Sequence, residues 1–272
     1  MLTPKFYLLA QECDLAKSSL LGAFTAFSYL DVNRTGTMYS AFFQAAVGLE
    51  RLMKLVVVID HNVKHDLDNP TNEQLKRIGH DLIVLYDRCS ALAGELSLTA
   101  SEWFGGDSLE RQFLVFLSTF AKGSRYYNLD TISGAGKNPD PVKEWVQLHQ
   151  RIAETYIPYK ARVKLNEEAI EHCDSLGAFG FQRWTDGQYI PTVDVCYLTR
   201  VCAKANPYCV WTLVRILKPF YELLDVLCAQ AHAIELQKGI DDPIVPYATE
   251  FFPFLLTSLD SVKQRKNWTR LF

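Results

Sequence analysis

The sequence predicts an all-α protein, an N-terminal up-and-down helical bundle with additional C-terminal helices packed on it. In the N-terminal half, apolar residues recur at alternating steps of three and four, the spacing of one face of an α-helix. The segments between these stripes are short and rich in turn-forming residues. Of the 272 residues, 49% are hydrophobic, which is enough to build a sizeable core.

Four apolar stripes define the predicted bundle helices. They run from Phe6 to Leu30, from Phe42 to Val63, from Leu75 to Leu96 and, more briefly, from Leu109 to Phe120. Each stripe gives its helix one apolar face, so we expect Leu49, Leu52, Leu82 and Leu85 to be buried. Segments 31–36 and 66–71 are short enough to join antiparallel neighbours. Thr71 or Asn72 is suited to cap the third helix.

The region after the fourth stripe has a different pattern. Residues 122–141 contain glycine, serine and proline at many positions and predict a long loop. Helical spacing resumes from Val142 to Val163, where Pro158 is expected to kink or split the helix. We therefore assign residues 1–173 to the bundle, including this loop.

Residues 174–272 are predicted to form a C-terminal helical region, either separate from the bundle or part of the same domain. A glycine-rich stretch at 176–187 marks the boundary. Apolar spacing then predicts a long helix over 213–234, kinked at Pro219, and a last helix over 248–262. The basic tail after Lys263 is expected to be solvated.

Composition and charge argue against several functional classes. The net charge of −3 gives no basic excess of the kind that dedicated nucleic-acid binders carry, although it is compatible with a local basic patch. Seven scattered cysteines without a Cys-x-x-Cys pair favour neither a disulfide framework nor a structural zinc site. Lys5, Glu12, Asp14 and Lys17 leave the first thirty residues without the apolar core of a secretory signal, and no uncharged stretch is long and apolar enough to span a bilayer, so we predict a cytoplasmic chain that does not enter the membrane. We expect no cofactor and no metal.

Two short motifs resemble the HEPN superfamily of helical bundles over about residues 40–90. The first is Ala45-Ala-Val-Gly-Leu-Glu-Arg-Leu-Met-Lys-Leu55, and the second is Gly79-His-Asp-Leu82 on the following helix. Many members are metal-independent ribonucleases with an Arg followed four to six residues later by a His. No such pair occurs here, because Arg77 precedes His80 by three residues and Arg51 precedes His61 by ten.

The resemblance therefore implies a non-catalytic HEPN-like protein that binds a protein, nucleotide or RNA partner, in a bacterial defence or toxin–antitoxin context. Homodimerisation is compatible with this function. One alternative is a metal-independent ribonuclease with a non-standard site drawn from His80, Arg125 and His149. The other is a purely structural oligomerisation module.

The candidate binding residues fall on three segments that the bundle is expected to bring together. They are Lys54, His80, Asp81, Arg125, Tyr126, Asn128 and Asp130. Arginine and tyrosine suit phosphate or partner recognition, and histidine can act as acid, base or anion contact near neutral pH. Gly79, which the apolar pattern places inside a helix, indicates close approach of either another backbone or a ligand.

Simpler structural roles compete with some of these functional ones. Glu50 and Lys54 lie one helical turn apart, as in a surface ion pair. Arg51 is a candidate partner for Asp81. His61 and His65 are also one turn apart, but no third metal ligand is evident. Their position near the C-terminus of a helix, where the helix dipole favours cationic side chains, explains them without a metal.

Overall fold

Helices make up nearly all of the regular structure in this computed structural model, which describes residues 2–99, 102–136, 138–184 and 187–270. The helices are α1 (Pro4–Ser28), α2 (Thr35–Lys64), α3 (Asn72–Ile78), α4 (Leu82–Glu95), α5 (Leu109–Lys122), α6 (Tyr127–Ile132), α7 (Pro141–Tyr156), α8 (Tyr159–Leu176), α9 (Thr192–Leu217), α10 (Pro219–Gln237) and α11 (Leu259–Gln264). The protein is all-α, as predicted. None of its described helices combines the length and apolar character needed to cross a bilayer.

Helices α1 and α2 form the most extensive helix pair and lie close together. Thr3 caps α1 by accepting a hydrogen bond from the Phe6 amide, and Pro4 occupies the first turn. At Gly48 of α2, an added Cβ would lie 2.8 Å from the Leu20 side chain and 3.1 Å from its backbone nitrogen. The glycine of the first motif is therefore required by helix packing.

The third predicted helix is in fact two helices. Helix α3 ends at Gly79, whose φ of +71° lies in the region that favours glycine, and α4 begins after Asp81. Asp81 caps α4 by accepting hydrogen bonds from the amides of Ile83 and Val84. The capping role predicted for Thr71 is confirmed, since Thr71 and Gln74 form a reciprocal capping box.

One continuous core joins the two predicted regions. Leu49, Leu52, Leu82 and Leu85 are at most 1% exposed, so the predicted bundle faces are confirmed. At its centre, the Trp145 ring lies 4.9–5.6 Å from four phenylalanine rings. These are Phe27, Phe42, Phe113 and Phe116. Helices α9 and α10 add their apolar faces to the same cluster, so the core continues across the predicted boundary at residue 173.

Prolines divide the remaining helices. The predicted split at Pro158 separates α7 from α8, and Pro219 separates α9 from α10. Helix α9 begins at Thr192, well before the predicted start, and accommodates Pro207 in its interior. A small antiparallel hairpin of β1 (Phe181–Arg183) and β2 (Tyr189–Pro191) precedes it and was not predicted.

Two predicted segments differ from the structure. The loop predicted over 122–141 contains a 3₁₀ turn at Ser124–Tyr126 followed by α6. The last helix predicted over 248–262 is replaced by 3₁₀ turns at Ala248–Phe251 and Pro253–Leu256 and by α11, since Pro253 cannot continue a helix.

The basic C-terminal tail is anchored by its tryptophan, while Lys263 and Lys266 are exposed as predicted. The Trp268 side chain is fully buried, with its ring 5.1 Å from that of Phe24 on α1. Its backbone amide donates a hydrogen bond of 2.9 Å to the Thr25 hydroxyl. Trp268 thus attaches the tail to the folded core.

Candidate functional site

The break between α3 and α4 positions His80 at the surface beside α2. Its imidazole is 78% exposed, and its Nδ1 lies 2.8 Å from Glu50 Oε1 and 3.3 Å from Lys54 Nζ. Lys54 also donates a 2.7 Å hydrogen bond to Glu50. The shorter contact favours donation from His80 Nδ1 to Glu50, which leaves Nε2 directed to solvent.

Glu50 is the charged centre of this arrangement. Partial burial disfavours its ionised form, but the hydrogen bonds from Lys54 and His80 outweigh that effect and hold the pKa of Glu50 below its ordinary value. Glu50 is therefore a carboxylate that neutralises part of the positive charge around it. The predicted Glu50–Lys54 ion pair is present.

Arg125 lies across a small pocket from His80. Both residues line a cavity of about 110 Å³ together with Glu50, Phe43 and Phe120. No described carboxylate forms an ion pair with Arg125. Its guanidinium lies 5.0 Å from the centre of the exposed Tyr126 ring. We call Glu50, Lys54, His80 and Arg125 the His80 cluster.

Asp81 has a structural role next to this cluster. Besides capping α4, it accepts hydrogen bonds from the Ser118 hydroxyl at 3.0 Å and from Lys122 at 2.7 Å. These bonds outweigh desolvation and keep the pKa of Asp81 below its ordinary value. Arg51 does not contact Asp81 as predicted. It forms an ion pair of 2.6 Å with Glu12 on α1 instead.

The other predicted site residues do not join the His80 cluster. Asn128 is exposed on α6, and Asp130 accepts a weak hydrogen bond of 3.4 Å from Asn138. Neither lines the cavity beside His80. His149 is fully buried beside Trp145, so it cannot contribute to a surface site.

A second concavity, which the sequence did not reveal, lies further along α2. It has a volume of about 290 Å³, and its polar lining consists of Gln74 and four basic or protonatable side chains. These four are His61, His65, Arg77 and Arg88, and we call them the arginine groove. No described carboxylate lines this concavity.

The two arginines of the groove are unpaired within the described ranges. Neither Arg77 nor Arg88 forms an ion pair or hydrogen bond there, whereas Arg111 and Arg215 each bind a carboxylate. Sequence reasoning missed Arg77 and Arg88, which lie on α3 and α4, on either side of the break at Gly79, and line one concavity with residues of α2. The residue that could have revealed the break is Gly79, but its positive φ was not inferred from the sequence.

The two histidines of the groove stack on each other. Their ring centres are 4.0 Å apart, and His65 Nδ1 lies 2.9 Å from the His61 carbonyl oxygen. Desolvation and the neighbouring His65 lower the pKa of His61 below its ordinary value of 6.5. In the described part of the chain, no three His, Cys, Asp or Glu side chains gather as metal ligands would.

A third concavity, of about 620 Å³, is distant from these residues in the chain and opens widely at the N-terminus of α2. Among the residues that the structure describes, Arg34 is its only charged lining residue, beside several hydroxyls. It offers less positive charge to an anion than the arginine groove.

Comparisons with protein-family models, curated proteins and solved structures found no match for this chain. The resemblance to the HEPN superfamily therefore rests on the two motifs in residues 40–90 alone.

Proposed function

We propose that this protein is a non-catalytic helical binding protein whose ligand is a nucleotide or RNA, held through phosphate in the arginine groove. The observation that carries this proposal is the pair of unpaired guanidinium groups, Arg77 and Arg88, at a concavity without a described carboxylate. Arginine binds phosphate through two parallel hydrogen bonds, and unpaired arginines need not give up an existing partner to do so.

The histidines support the same ligand. His61 is kept mostly neutral near pH 7, and a bound phosphate would favour its protonated form. Stacked, partly exposed rings also offer a face on which a base can stack. The volume of about 290 Å³ lies at the lower end of small-molecule pockets and suits one phosphate with its sugar.

The His80 cluster would extend this surface for a longer ligand. Lys54 and His61 are seven residues apart on α2, which places their backbones about 10 Å apart. An RNA strand that crosses the groove would then meet Lys54, His80 and Arg125. The resemblance to the HEPN superfamily supports a role in the cytoplasm, in a bacterial defence or toxin–antitoxin system.

The test is an equilibrium titration of a labelled RNA oligonucleotide and of a mononucleotide, with wild type and the double variant Arg77→Gln, Arg88→Gln. Each lost phosphate contact is expected to weaken binding by roughly 1.5–3 kcal/mol. The matched control is Arg151→Gln, Lys160→Gln, which removes the same charge from exposed positions on α7 and α8. Equal loss in both double variants would mean that only net charge matters and would overturn the proposed site.

A cleavage assay separates binding from catalysis. We expect RNA incubated with protein and EDTA to stay intact, because no Arg in this sequence is followed four to six residues later by a His, the pair that the HEPN ribonucleases carry. Cleavage that disappears in His80→Ala or Arg125→Ala would replace the binding function with a metal-independent ribonuclease.

One observation favours a second function, self-association. Large apolar side chains are exposed around the hairpin and the end of α8, at Leu176, Phe179, Phe181 and Tyr189, and each is at least 67% exposed. Exposed apolar clusters often mark interfaces. If the protein is an oligomerisation module, light scattering of wild type would give a mass above one chain, and Phe181→Ser would reduce it to that of a monomer.

A further inference from the structure

Helix α8 is the most weakly anchored long helix of the protein. Of its eighteen residues only Ala169 and Cys173 are buried, and the rest of the helix is largely polar. It packs mainly on α9. Its attachment therefore depends on a small number of contacts, and Cys173 is one of them.

Cys173 meets a second cysteine at this interface. Its thiol donates a hydrogen bond to Cys196 Sγ on α9, with the sulfur atoms 3.5 Å apart. A disulfide bond holds sulfur atoms about 2.0 Å apart, so a small rotation of the two side chains brings them to bonding distance. Cys196 is partly exposed, while the other cysteines are buried.

We propose that Cys173 and Cys196 form a reversible disulfide, which fastens α8 to α9 when the protein meets a low-molecular-weight disulfide such as oxidised glutathione. This inference is independent of the proposed ligand. The contact between two thiols on different helices carries it, and no other two cysteines of the chain are hydrogen-bonded to each other in the described structure.

The reaction proceeds by two thiol–disulfide exchanges. The Cys196 thiolate attacks one sulfur of the small disulfide, forms a mixed disulfide and releases one thiolate, which takes up a proton. The Cys173 thiolate then attacks Cys196 Sγ, forms the protein disulfide and releases the second small thiol. The two protein thiols are oxidised by two electrons, and the small disulfide is reduced to two thiols.

The order of attack follows from exposure and hydrogen bonding. Cys196 is partly exposed and accepts the hydrogen bond, so it is the first thiol that a reagent reaches. Desolvation and donation to Cys196 raise the pKa of the Cys173 thiol, which makes it the second to react.

The competing cysteines are poor reactants. Cys13, Cys89, Cys202, Cys209 and Cys228 are at most 2% exposed. Burial raises the pKa of Cys13, Cys89 and Cys202 to about 12. Selective reaction at Cys173 and Cys196 is therefore expected in the folded protein.

The experiment treats the full chain with oxidised glutathione, stops the reaction with acid, blocks remaining thiols and measures intact mass and linked peptides. Wild type should carry two fewer blocking groups than untreated, reduced protein, and a dithiol reductant should restore both thiols. Trypsin cleavage at the exposed Arg183, between the two cysteines, should then give fragments that separate only after reduction.

Two variants test the order of attack. Cys173→Ser should stop at a stable glutathione adduct on Cys196, and Cys196→Ser should give no linked peptide. Cys228→Ala, at a distant buried position, should still form the link. The proposal is overturned if wild type keeps the adduct on Cys196 without forming the link, if other cysteines pair, or if no cysteine reacts.

Discussion

The contrasting environments of two histidines determine what each can contribute. His80 is mostly exposed and hydrogen-bonded to a carboxylate, whereas His149 is completely buried and neither ring nitrogen has a hydrogen-bond partner among the described residues. The backbone of Cys202 lies close to the His149 ring and raises its pKa slightly, although the contact does not have the geometry of a hydrogen bond. Desolvation therefore dominates and lowers the pKa of His149 to about 4. His149 lies within the apolar stripe from Val142 to Val163, and its burial agrees with that pattern.

His149 should make the protein sensitive to acid. The pKa of His149 is about 4 in the folded state and 6.5 in the unfolded chain. Between pH 6.5 and pH 4 the unfolded chain therefore binds more protons than the folded protein, and stability is lost as the pH falls. Between pH 7 and pH 5 this loss should be about 2 kcal/mol. Urea unfolding at both pH values should therefore show a smaller loss in His149→Phe than in wild type. The exposed His172→Gln serves as control, and equal losses in all three proteins would contradict this account.

Adjacent residues on α4 offer a direct test of core packing. Leu85 is 1% exposed and Val84 is 59% exposed. Leu85→Ala should lower the free energy of unfolding by roughly 2–5 kcal/mol because it leaves a cavity. Val84→Ala should change it by less than about 1 kcal/mol. Similar losses, measured by chemical denaturation, would mean that the register of α4 is wrong.

At the level of elements, apolar spacing identified the bundle helices but could not detect the break between α3 and α4. Ile78 and Leu82 are four residues apart and both are buried, so the helical spacing continues across a backbone that is not helical. The break depends on Gly79 with positive φ and on Asp81 as a cap. Neither residue alone predicts a break, because glycine also occurs inside helices that pack closely, as Gly48 does, and aspartate is common on exposed helix faces.

Two glycine substitutions should have opposite effects. An added Cβ meets no atom at either Gly79 or Gly94, so only the backbone conformation differs. Gly79→Ala should destabilise the protein by roughly 1–3 kcal/mol, since its positive φ is strained for alanine. Gly94→Ala, inside α4, should stabilise it by about 0.4–1 kcal/mol. Thermal unfolding measures both effects, and a stabilising Gly79→Ala would contradict the proposed break.

At the level of the whole molecule, tertiary packing decides features that local patterns leave open. Charge pattern alone predicted a solvated tail, yet Trp268 is buried against α1. The arginine groove likewise assembles residues from α2, α3 and α4 that no sequence motif connects. The all-α class and the apolar faces of the bundle helices could be predicted, because both depend on helix periodicity and short connections.

Docking of the tail should contribute to global stability. Trp268→Ala removes a fully buried ring and should cost roughly 3–5 kcal/mol. Lys266→Ala, two residues earlier and exposed, should change stability by less than about 0.5 kcal/mol. Guanidinium unfolding distinguishes the two, and an unaffected Trp268→Ala protein would show that the tail is not part of the core.

The central claim is that Arg77 and Arg88 hold the phosphates of a bound nucleotide or RNA, and salt dependence tests it most directly. For a single strand, the logarithm of the association constant falls with the logarithm of salt concentration by about 0.7 for each phosphate neutralised. Replacing both arginines by Gln should make the slope shallower by about 1.4, while Arg151→Gln, Lys160→Gln should leave it unchanged. A slope that is the same in wild type and in the Arg77, Arg88 double variant, or no binding by wild type at low salt, would contradict the claim.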